Sequence, residues 1–465
     1  MIPLTLDEIA TITGGHLVHA GPAATVTAGV EYDTRALRPG GLFVAFVGER
    51  VDGHDFAAAA VRAGAAGVLG TRDTGQPGIV VDDPLRALAA LATAVVRRLP
   101  ELTIVGLTGS SGKTTTKDYI GQLLAHAGET VAPAGSLNNE LGFPYTVLKA
   151  GPATRFLVLE MGARGPGHIR YLTDLAGPRI GVVLNIGAAH LGEFGSVEGT
   201  AQAKGELVEA LGTDGVAVLN ADDPLVAAMA SRTVARVVLV GESPAATVRA
   251  TDVTLDGRGR AAYQLHTPAG TAPVRLAVTG RHQVGNTLAA AAVALEAGLT
   301  PAAVAAALGE VGIVSERRMD VFDTTEGVTV IDDSYNANPS STSAALRSLA
   351  ALGEGRRTTA VLGYMAELGP FETSGHSEVG RLAAELGVDR LIAVAENAAP
   401  ILDGAATVPA WKGEAVLAAD QAAAVAVLRG DLRPGDVVLV KGSRYRTWEV
   451  ADALRADAAI EEGSP

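Results

Sequence analysis

A glycine-rich segment between an apolar run and a helical pattern constrains this chain more than any other feature. Residues 102–124 read LTIVGLTGSSGKTTTKDYIGQLL, so a predicted strand ends in a turn and a helix follows. Backbone N–H groups in such a turn can surround a phosphate, and the helix N-terminus adds the positive end of its dipole. The predicted phosphate-binding residues are Gly109, Ser110, Ser111, Gly112, Lys113, Thr114 and Thr115.

The residues that follow the last glycine supply the chemistry expected of a nucleotide site. The Lys113 ammonium would neutralise the β and γ oxygens of a bound nucleotide, and the Thr114 hydroxyl would ligate Mg²⁺. The string fits GxxGxxGKT rather than the usual spacing, because Leu107 occupies the position of the first glycine. A phosphate loop alone leaves kinase, GTPase, motor and ligase open, so the discrimination must come from other parts of the chain.

Charge and composition exclude several classes of protein. The chain has 465 residues and a formal net charge of −14, which argues against a nucleic-acid-binding face. It contains no cysteine, so disulfides, thiolate metal sites and a cysteine nucleophile are impossible. The start has no basic region ahead of an apolar run, and the most apolar stretch is interrupted by a charge, a glycine and a proline. We therefore expect a cytoplasmic protein with no membrane insertion.

Alternating apolar and helical patterns predict an α/β protein of three domains, since the chain is too long for one core. Residues 1–99 form a small α/β unit in this interpretation, which ends where Pro100 disfavours helix at the preceding residue. Residues 100–314 carry apolar runs that end in Gly, Asn or Asp, as buried parallel strands do in a P-loop nucleotide-binding domain. Residues 315–465 repeat the alternation and predict a Rossmann-like unit.

Three further side chains are candidates for a catalytic centre. Glu160 ends the predicted strand FLVLEMG, and His190 follows another strand in LNIGAAHLGEFGS, so both belong to the ligand edge of a parallel sheet. Together they could hold a metal ion through oxygen and imidazole. Lys204 lies on a predicted helix, where a solvated lysine would be the simpler interpretation from the residue alone.

Nine strings along the chain carry a resemblance to a known family: TGSSGKTTTK, SLNNELGFP, LEMGARGPGHI, NIGAAHLGEFGS, AKGE, GRHQVGN, DDSYNANPSS, MAELG and LVKGS. In this order they resemble the Mur ligases, and specifically the MurF type, which joins D-alanyl-D-alanine to a UDP-linked muramoyl tripeptide. The string DDSYNANPSS is the signature of that type. The resemblance extends from the first predicted domain to the last.

The resemblance implies that residues 1–99 bind the UDP part of the substrate, 100–314 bind ATP, and 315–465 close over ATP and bind the dipeptide. It implies the catalytic residues Lys113, Glu160, His190 and Lys204, and the metal ligands Thr114, Glu160, His190 and Lys204. The further nucleotide contacts implied are His282, Asn286, Arg317 and Asp333. Arg318 stands beside Arg317, which leaves that assignment open by one position. The implied substrate contacts are Asp33, Thr34, Arg35, Asn138, Asn139, Asn336 and Asn338.

The family also implies a reaction and its cofactors. ATP and two Mg²⁺ ions are expected, together with a carbamylated Lys204, in which CO₂ converts a cationic amine into an anionic metal ligand. The tripeptide carboxylate would take the γ-phosphoryl group, and the amine of D-Ala-D-Ala would displace phosphate from the acyl phosphate. A monomer is expected by analogy. Tyr364 departs from the aspartate that the family commonly has before MxELG.

Three other interpretations compete with this one. Another amide ligase of the same superfamily would lack DDSYNANPSS. A P-loop switch would hydrolyse nucleotide without an amino-acid acceptor, and it gives no reason for YDTR at 32–35, which resembles the uridine-binding region of the family. A catalytically silent homologue is disfavoured by the intact set of catalytic candidates.

Overall fold

A computed structural model describes residues 1–187, 196–443 and 446–459 of the chain. His190, a predicted catalytic and metal-binding residue, lies outside the described residues. None of the helices in these three ranges is long and apolar enough to cross a membrane.

The first part of the chain forms a five-stranded sheet with helices against it. The sheet has the order β2-β7-β6-β5-β4, in which only β2 runs antiparallel to its neighbour. A two-stranded antiparallel pair, β1 with β3, lies beside it. The strands are β1 (Leu4–Thr5), β2 (His16–Val18), β3 (Thr25–Val26), β4 (Val30–Glu31), β5 (Leu42–Val44), β6 (Gly67–Gly70) and β7 (Gly78–Val80). The helices are Leu6–Thr13, Ala57–Arg62 and Pro84–Arg97, with a 3₁₀ turn at Gly53–Phe56.

Local capping explains where two of these helices begin. The Thr5 hydroxyl accepts a hydrogen bond from the Glu8 backbone N–H, and the Glu8 carboxylate accepts one from the Thr5 backbone N–H. This capping box satisfies donors that the first helical turn leaves unpaired. Asp83 caps the helix Pro84–Arg97, whose proline at the first position has no N–H to satisfy.

The central part is built on a nine-stranded sheet of order β16-β15-β14-β13-β12-β11-β8-β10-β9. Its strands pair in parallel from β9 to β14, and β14, β15 and β16 form an antiparallel extension. The strands are β8 (Thr103–Thr108), β9 (Thr130–Val131), β10 (Phe156–Glu160), β11 (Ile180–Val183), β12 (Val216–Asn220), β13 (Arg236–Gly241), β14 (Val248–Leu255), β15 (Arg260–Thr267) and β16 (Gly270–Thr279). The helices are Lys113–Leu124, Gly142–Val147, His168–Ala176, Val197–Glu209, Pro224–Ala227, Gln283–Glu296 and Pro301–Glu310, with a 3₁₀ turn at Ala228–Arg232.

The last part carries a six-stranded sheet of order β17-β18-β22-β19-β20-β21, parallel except for β17. The strands are β17 (Asp320–Asp323), β18 (Thr329–Asp332), β19 (Thr358–Leu362), β20 (Arg390–Val394), β21 (Glu414–Ala418) and β22 (Val437–Lys441). The helices are Pro339–Leu352, Glu372–Glu385, Pro400–Ala406, Gln421–Arg429 and Trp448–Ala459, with 3₁₀ turns at Gly369–Phe371 and Glu396–Ala398.

The α/β prediction is confirmed, and each of the three larger sheets draws its strands from one of the three predicted ranges. The boundaries at 99 and 314 stay predictions. One apolar cluster joins the first two ranges, because Leu88 and Leu91 of the helix Pro84–Arg97 belong to the same buried cluster as Ile169 and Leu172. Each fully buried leucine of this kind contributes roughly 1.5–3 kcal/mol to folding.

Candidate active site

The phosphate loop lies at the carboxyl end of β8, between that strand and the helix Lys113–Leu124. Gly112 precedes the helix with φ of 78°, a left-handed conformation that a side chain would strain. A Cβ atom on Gly112 would also come 2.6 Å from Oδ1 of Asn286, so the loop and the helix Gln283–Glu296 approach each other closely. The Lys113 ammonium donates to the Gly109 carbonyl at 2.8 Å, inside its own loop.

Asn185, two residues beyond the end of the neighbouring strand β11, supports the loop. Its side-chain oxygen accepts a hydrogen bond from the Ser111 backbone N–H at 2.9 Å, and its amide donates to the Ser111 carbonyl at 3.2 Å. The strand order places β8 between β10 and β11. In open α/β sheets, ligands bind at the carboxyl ends of the strands, at the point where the strand order reverses. Asn185 was not among the predicted site residues.

Glu160, at the end of β10, is buried and accepts hydrogen bonds from three neutral side chains. Thr114 donates to one carboxylate oxygen at 2.8 Å, and Ser136 and Asn138 donate to the other at 2.7 Å. Within the described parts of the chain, no lysine, arginine or histidine nitrogen lies within 4 Å of this carboxylate. Among the described residues, its negative charge is therefore oriented by neutral groups and is not neutralised in an ion pair.

Two lysines of the central part come together beside Glu160. Lys204 is 2% exposed on the helix Val197–Glu209, and burial, with Lys113 nearby, lowers the pKa of its amine well below the ordinary value. Burial also lowers the pKa of Lys113, Glu160 opposes that shift, and Arg318 adds to it. No carboxylate pairs with Lys204 among the residues the structure describes. The site therefore disfavours the protonated form of Lys204.

The C-terminal part supplies an arginine, an aspartate and a third lysine. Arg318 donates to the Thr114 hydroxyl at 3.1 Å, and its guanidinium stacks 4.2 Å from the Tyr335 ring centre. Asp333 forms a buried ion pair with Lys441, at the end of β22, and accepts a hydrogen bond from the Met319 N–H at 3.2 Å. The Arg318 contact joins the C-terminal part to the phosphate loop.

Of the two adjacent arginines, Arg318 lies at the loop and lines the cavity, and the phosphate contact predicted for Arg317 stays a prediction. The Arg317 guanidinium instead forms an ion pair with Asp452 at 2.9 Å and lies 5.8 Å from the Trp448 ring centre. The side chains of adjacent residues in extended or turn backbone point in different directions. Only one of two neighbouring arginines can therefore face the cavity. The φ of Arg317, 60°, belongs to such a turn.

These groups line one cavity of about 690 Å³ between the central and C-terminal sheets. From the predicted phosphate loop, the lining includes Ser110, Ser111, Gly112, Lys113, Thr114 and Thr115. The other predicted residues in the lining are Asn138, Asn139, Glu160, Lys204, His282, Asn286, Asp333, Asn336 and Asn338. Gly109 is in contact with this set through its carbonyl, which accepts the Lys113 hydrogen bond.

His282 and Asn286 lie at the start of the helix Gln283–Glu296, on the side of the cavity beyond the glycine turn. The His282 Nδ1 atom is buried and finds no hydrogen-bond partner among the described residues. Burial lowers the pKa of this imidazole, although Asp333 opposes the shift. A neutral imidazole with a free ring nitrogen is suited to hydrogen-bond a polar heterocycle.

Comparison with known proteins places these observations in a family. Family models described as "Mur ligase family, catalytic domain", "Mur ligase middle domain" and "Mur ligase, glutamate ligase domain" match residues 26–96, 107–294 and 317–444. The UDP-N-acetylmuramoyl-tripeptide–D-alanyl-D-alanine ligase of Mycobacterium tuberculosis strain H37Rv is 50% identical, over 98% of each chain. That of Escherichia coli K12 is 37% identical over 97% of each chain. The chain belongs to the Mur ligase family, MurF type.

Solved structures agree with the sequence relatives. A MurF structure from Acinetobacter baumannii has 32% sequence identity and a TM-score of 0.85, over 98% of each chain. The MurF ligase from Thermotoga maritima in complex with ADP has 28% identity and a TM-score of 0.79, over 93% of this chain and 98% of that one. The three-domain Mur ligase fold therefore extends over the whole length of this chain.

The N-terminal candidates of this Mur ligase lie apart from the cavity lining. Asp33 and Arg35 form an exposed ion pair at 2.6 Å, and the Arg35 guanidinium holds the pKa of the Asp33 carboxyl at about 2. Thr34 stands between them. The preceding Tyr32 packs edge-on against Tyr145 of the central part, with ring centres 5.1 Å apart. The predicted uridine contact of this segment remains a prediction.

Four residues at the centre of this Mur ligase were missed by sequence reasoning: Ser136, Asn185, Arg318 and Lys441. Three of them stand inside strings that carry the family resemblance, so their positions were available as a signal: Ser136 in SLNNELGFP, Asn185 in NIGAAHLGEFGS and Lys441 in LVKGS. The chain itself provides no pattern that chooses Arg318 over Arg317. Among the described residues, which do not include His190, no three His, Asp or Glu side chains cluster as a metal site.

Tyr364 occupies the position where the family commonly has aspartate. Its hydroxyl donates to the Glu372 carboxylate at 2.8 Å, and its ring stacks on His376 at 5.2 Å between centres. The Met365 N–H donates to His376 Nε2 at 2.8 Å, and burial lowers the pKa of that imidazole. The tyrosine thus takes part in bracing the MAELG turn, whose Glu367 lines the cavity.

Proposed function

We propose that this chain joins D-alanyl-D-alanine to the terminal carboxylate of UDP-N-acetylmuramoyl-tripeptide with the use of ATP, in the synthesis of peptidoglycan precursor. The observation that carries the proposal is the cavity in which the phosphate loop, Glu160, Lys204 and Arg318 meet. The relatives with 50% and 37% identity over nearly the full length bear names that state this activity. The signature DDSYNANPSS follows β18 and supplies Asp333, Asn336 and Asn338 to the same cavity.

The first step activates a carboxylate, whose own leaving group would be oxide. The tripeptide carboxylate attacks the γ-phosphorus of ATP, and the bond between that phosphorus and the β,γ-bridging oxygen breaks. ADP departs as the leaving group, and the product on the tripeptide is an acyl phosphate. Lys113 and Arg318 are two cations of the cavity that can neutralise the transferring group. They act by charge and position rather than by covalent chemistry. Lys113 would exchange the Gly109 carbonyl for phosphate oxygens when the nucleotide binds.

In the second step the amine of D-Ala-D-Ala attacks the acyl carbon, and inorganic phosphate leaves. The C-terminal part brings Arg318 and Asp333 against the phosphate loop, and Asn338 donates to the Ser110 carbonyl at 3.3 Å. These contacts cover the reacting atoms from the side opposite the central sheet. Exclusion of water there protects the acyl phosphate from hydrolysis.

Mg²⁺ is expected to be held by Thr114 and Glu160, and a second ion by Lys204 with His190. The oriented carboxylate of Glu160, which has no ion-pair partner in the described chain, fits a hard divalent cation. When bound, the metal would supply positive charge between two anionic substrates. Asn138 and Ser136 set the rotamer of Glu160 for that purpose.

Carbamylation of Lys204 would complete the second site. The neutral amine adds to CO₂, a new N–C bond forms, and one proton is released to solvent. Burial among other cations makes the amine of Lys204 neutral at lower pH than an exposed lysine, which favours this reaction. The resulting carbamate would provide a negative group at Lys204, which pairs with no carboxylate among the described residues. The monomeric state and the cytoplasmic location stay predictions.

The decisive experiment measures phosphate release from ATP and Mg²⁺ with the UDP-muramoyl tripeptide, with or without D-Ala-D-Ala, and the mass of the product. We expect phosphate release that needs both substrates, and a product heavier by one dipeptide less water. Release that ignores the dipeptide and yields no heavier product would contradict the proposal and favour a switch-type ATPase.

A further inference from the structure

A closed ring of polar contacts connects the helix Lys113–Leu124, called here the phosphate-loop helix, to two other segments of the chain, and its members are outside the cavity lining. It consists of Lys117, Asp118, Gly135 and Ser315. The Lys117 ammonium forms an ion pair with Asp118 at 2.8 Å and donates to the Gly135 carbonyl at 3.1 Å. The Gly135 N–H donates to the Ser315 hydroxyl at 2.8 Å, and the Ser315 N–H donates to the other Asp118 oxygen at 3.1 Å.

The three side chains of the ring are almost fully buried, at 3% exposure for Lys117, 5% for Asp118 and 4% for Ser315. Lys117 also donates to the Pro133 carbonyl. A buried charge is costly unless a countercharge and hydrogen bonds compensate it. The ring supplies the countercharge, the carbonyl acceptors of Lys117 and one hydrogen bond to Asp118. The Asp118 Oδ1 atom has only the ion pair with Lys117 and no further hydrogen bond among the described residues. The arrangement therefore holds three chain segments in one geometry: the phosphate-loop helix, residues 133–138, and residues 312–318.

Each of the two outer segments carries a group that acts at the active site. Residue 136 is one position beyond the ring, and the Ser136 and Asn138 side chains donate to Glu160. Arg318 is three positions beyond Ser315 and donates to Thr114, which itself donates to Glu160. A second contact reinforces the junction, since the Gln122 side chain exchanges two hydrogen bonds with Gly312, at 2.9 and 3.1 Å.

We propose that Lys117 and Ser315 are positioning residues, and that the ring couples the approach of Arg318 to the orientation of the Glu160 carboxylate. Neither residue is part of the cavity lining. The ring would make the cation-binding state of Glu160 and the docking of the last sheet depend on each other, because both are tied to Gly135. This inference rests on the proposed function for its catalytic consequence, although the coupling itself is a property of the free protein.

The test uses Ser315→Ala, which removes the acceptor of the Gly135 N–H, and Lys117→Met, which removes the charge. The matched controls are Ser231→Ala and Lys412→Met, at exposed positions outside the ring. Amide hydrogen exchange of residues 133–139 is measured without nucleotide or metal. We expect exchange at least about tenfold faster than in the wild type in both ring variants. In the controls the exchange rate should equal that of the wild type.

The second readout is the Mg²⁺ concentration that gives half-maximal ligase rate. We expect it to rise severalfold in Ser315→Ala, with Ser315→Thr, which keeps the hydroxyl, close to the wild type. In the double variant the effects should be less than additive, because both changes open the same ring. If Lys117→Met fails to fold, Ser315→Ala with its control carries the test.

Unchanged exchange at 133–139 together with an unchanged Mg²⁺ requirement in folded Ser315→Ala would overturn the inference. Fully additive effects in the double variant would also overturn it. A wild-type protein without ligase activity would refute the proposed function instead, and the hydrogen-exchange comparison would still decide whether the ring couples the two segments.

Discussion

Lys204 and Lys441 border the same cavity, are both 2% exposed, and are held in opposite ways. Lys441, at the end of β22, is ion-paired with Asp333 and donates to the Asn336 carbonyl at 3.0 Å. Lys204 has no carboxylate partner in the described chain, and the charge of Lys113 adds to the effect of burial in lowering its pKa. A buried lysine that is paired supports structure, whereas one left among cations has a strongly lowered pKa and is available for chemistry.

The largest effect should follow from Lys441→Met, which would leave Asp333 buried without its countercharge. Removal of one partner of a buried ion pair costs about 3–5 kcal/mol of unfolding free energy. Urea denaturation of the variant and of Lys412→Met, an exposed control, measures the difference. Equal stability of the two variants would show that Lys441 is not the structural member of the comparison.

Lys204→Met should not lower the free energy of unfolding, in contrast to Lys441→Met. The buried amine costs desolvation energy and pairs with no carboxylate among the described residues, so we expect a free energy of unfolding equal to or greater than that of the wild type. Ligase rate should fall by more than about 100-fold, since loss of a metal-holding group exceeds the usual cost of losing an outer-shell partner. Retained activity would remove Lys204 from the catalytic set, and a clear loss of stability would make it structural.

Arg317 and Arg318 allow a similar comparison within the C-terminal part, between an arginine in an ion pair and one that lines the cavity. Arg318→Ala should lower kcat/KM for ATP by roughly 10- to 100-fold, the usual value of a hydrogen bond to a charged group. Arg317→Ala should change it by less than about threefold, because its ion pair with Asp452 is partly exposed. Steady-state kinetics of this matched pair provide the test, and the reverse order of effects would restore Arg317 as the phosphate contact.

The smallest effect concerns CO₂. Burial lowers the pKa of Lys204, so the neutral amine that reacts with CO₂ is present at lower pH than for an exposed lysine. Removal of dissolved CO₂ should reduce the ligase rate severalfold, and bicarbonate should restore it. Restoration should weaken as the pH falls, because protonation blocks the amine. A rate indifferent to bicarbonate across the pH range, measured by phosphate release, would count against the carbamate.

Most of the fold could be predicted because its signals are local. The buried strands β8, β10 and β11 are nearly unbroken apolar runs, and the glycines with Lys113 mark the turn between strand and helix. Glu160 could be placed at the ligand edge because the ends of parallel strands meet there. The central sheet nevertheless ends in the antiparallel strands β14 to β16, which the prediction of a parallel sheet did not include.

The sequence by itself determined the α/β class, the phosphate loop and, through its strings, the family. Only the tertiary structure decided which arginine faces Thr114, that Lys441 pairs with Asp333, and that Lys117 closes a ring with Ser315. These contacts join residues 204, 108 and 198 positions apart in the chain. Local propensity carries no information on such distances, since they depend on how separate sheets pack and on which buried charges find partners there.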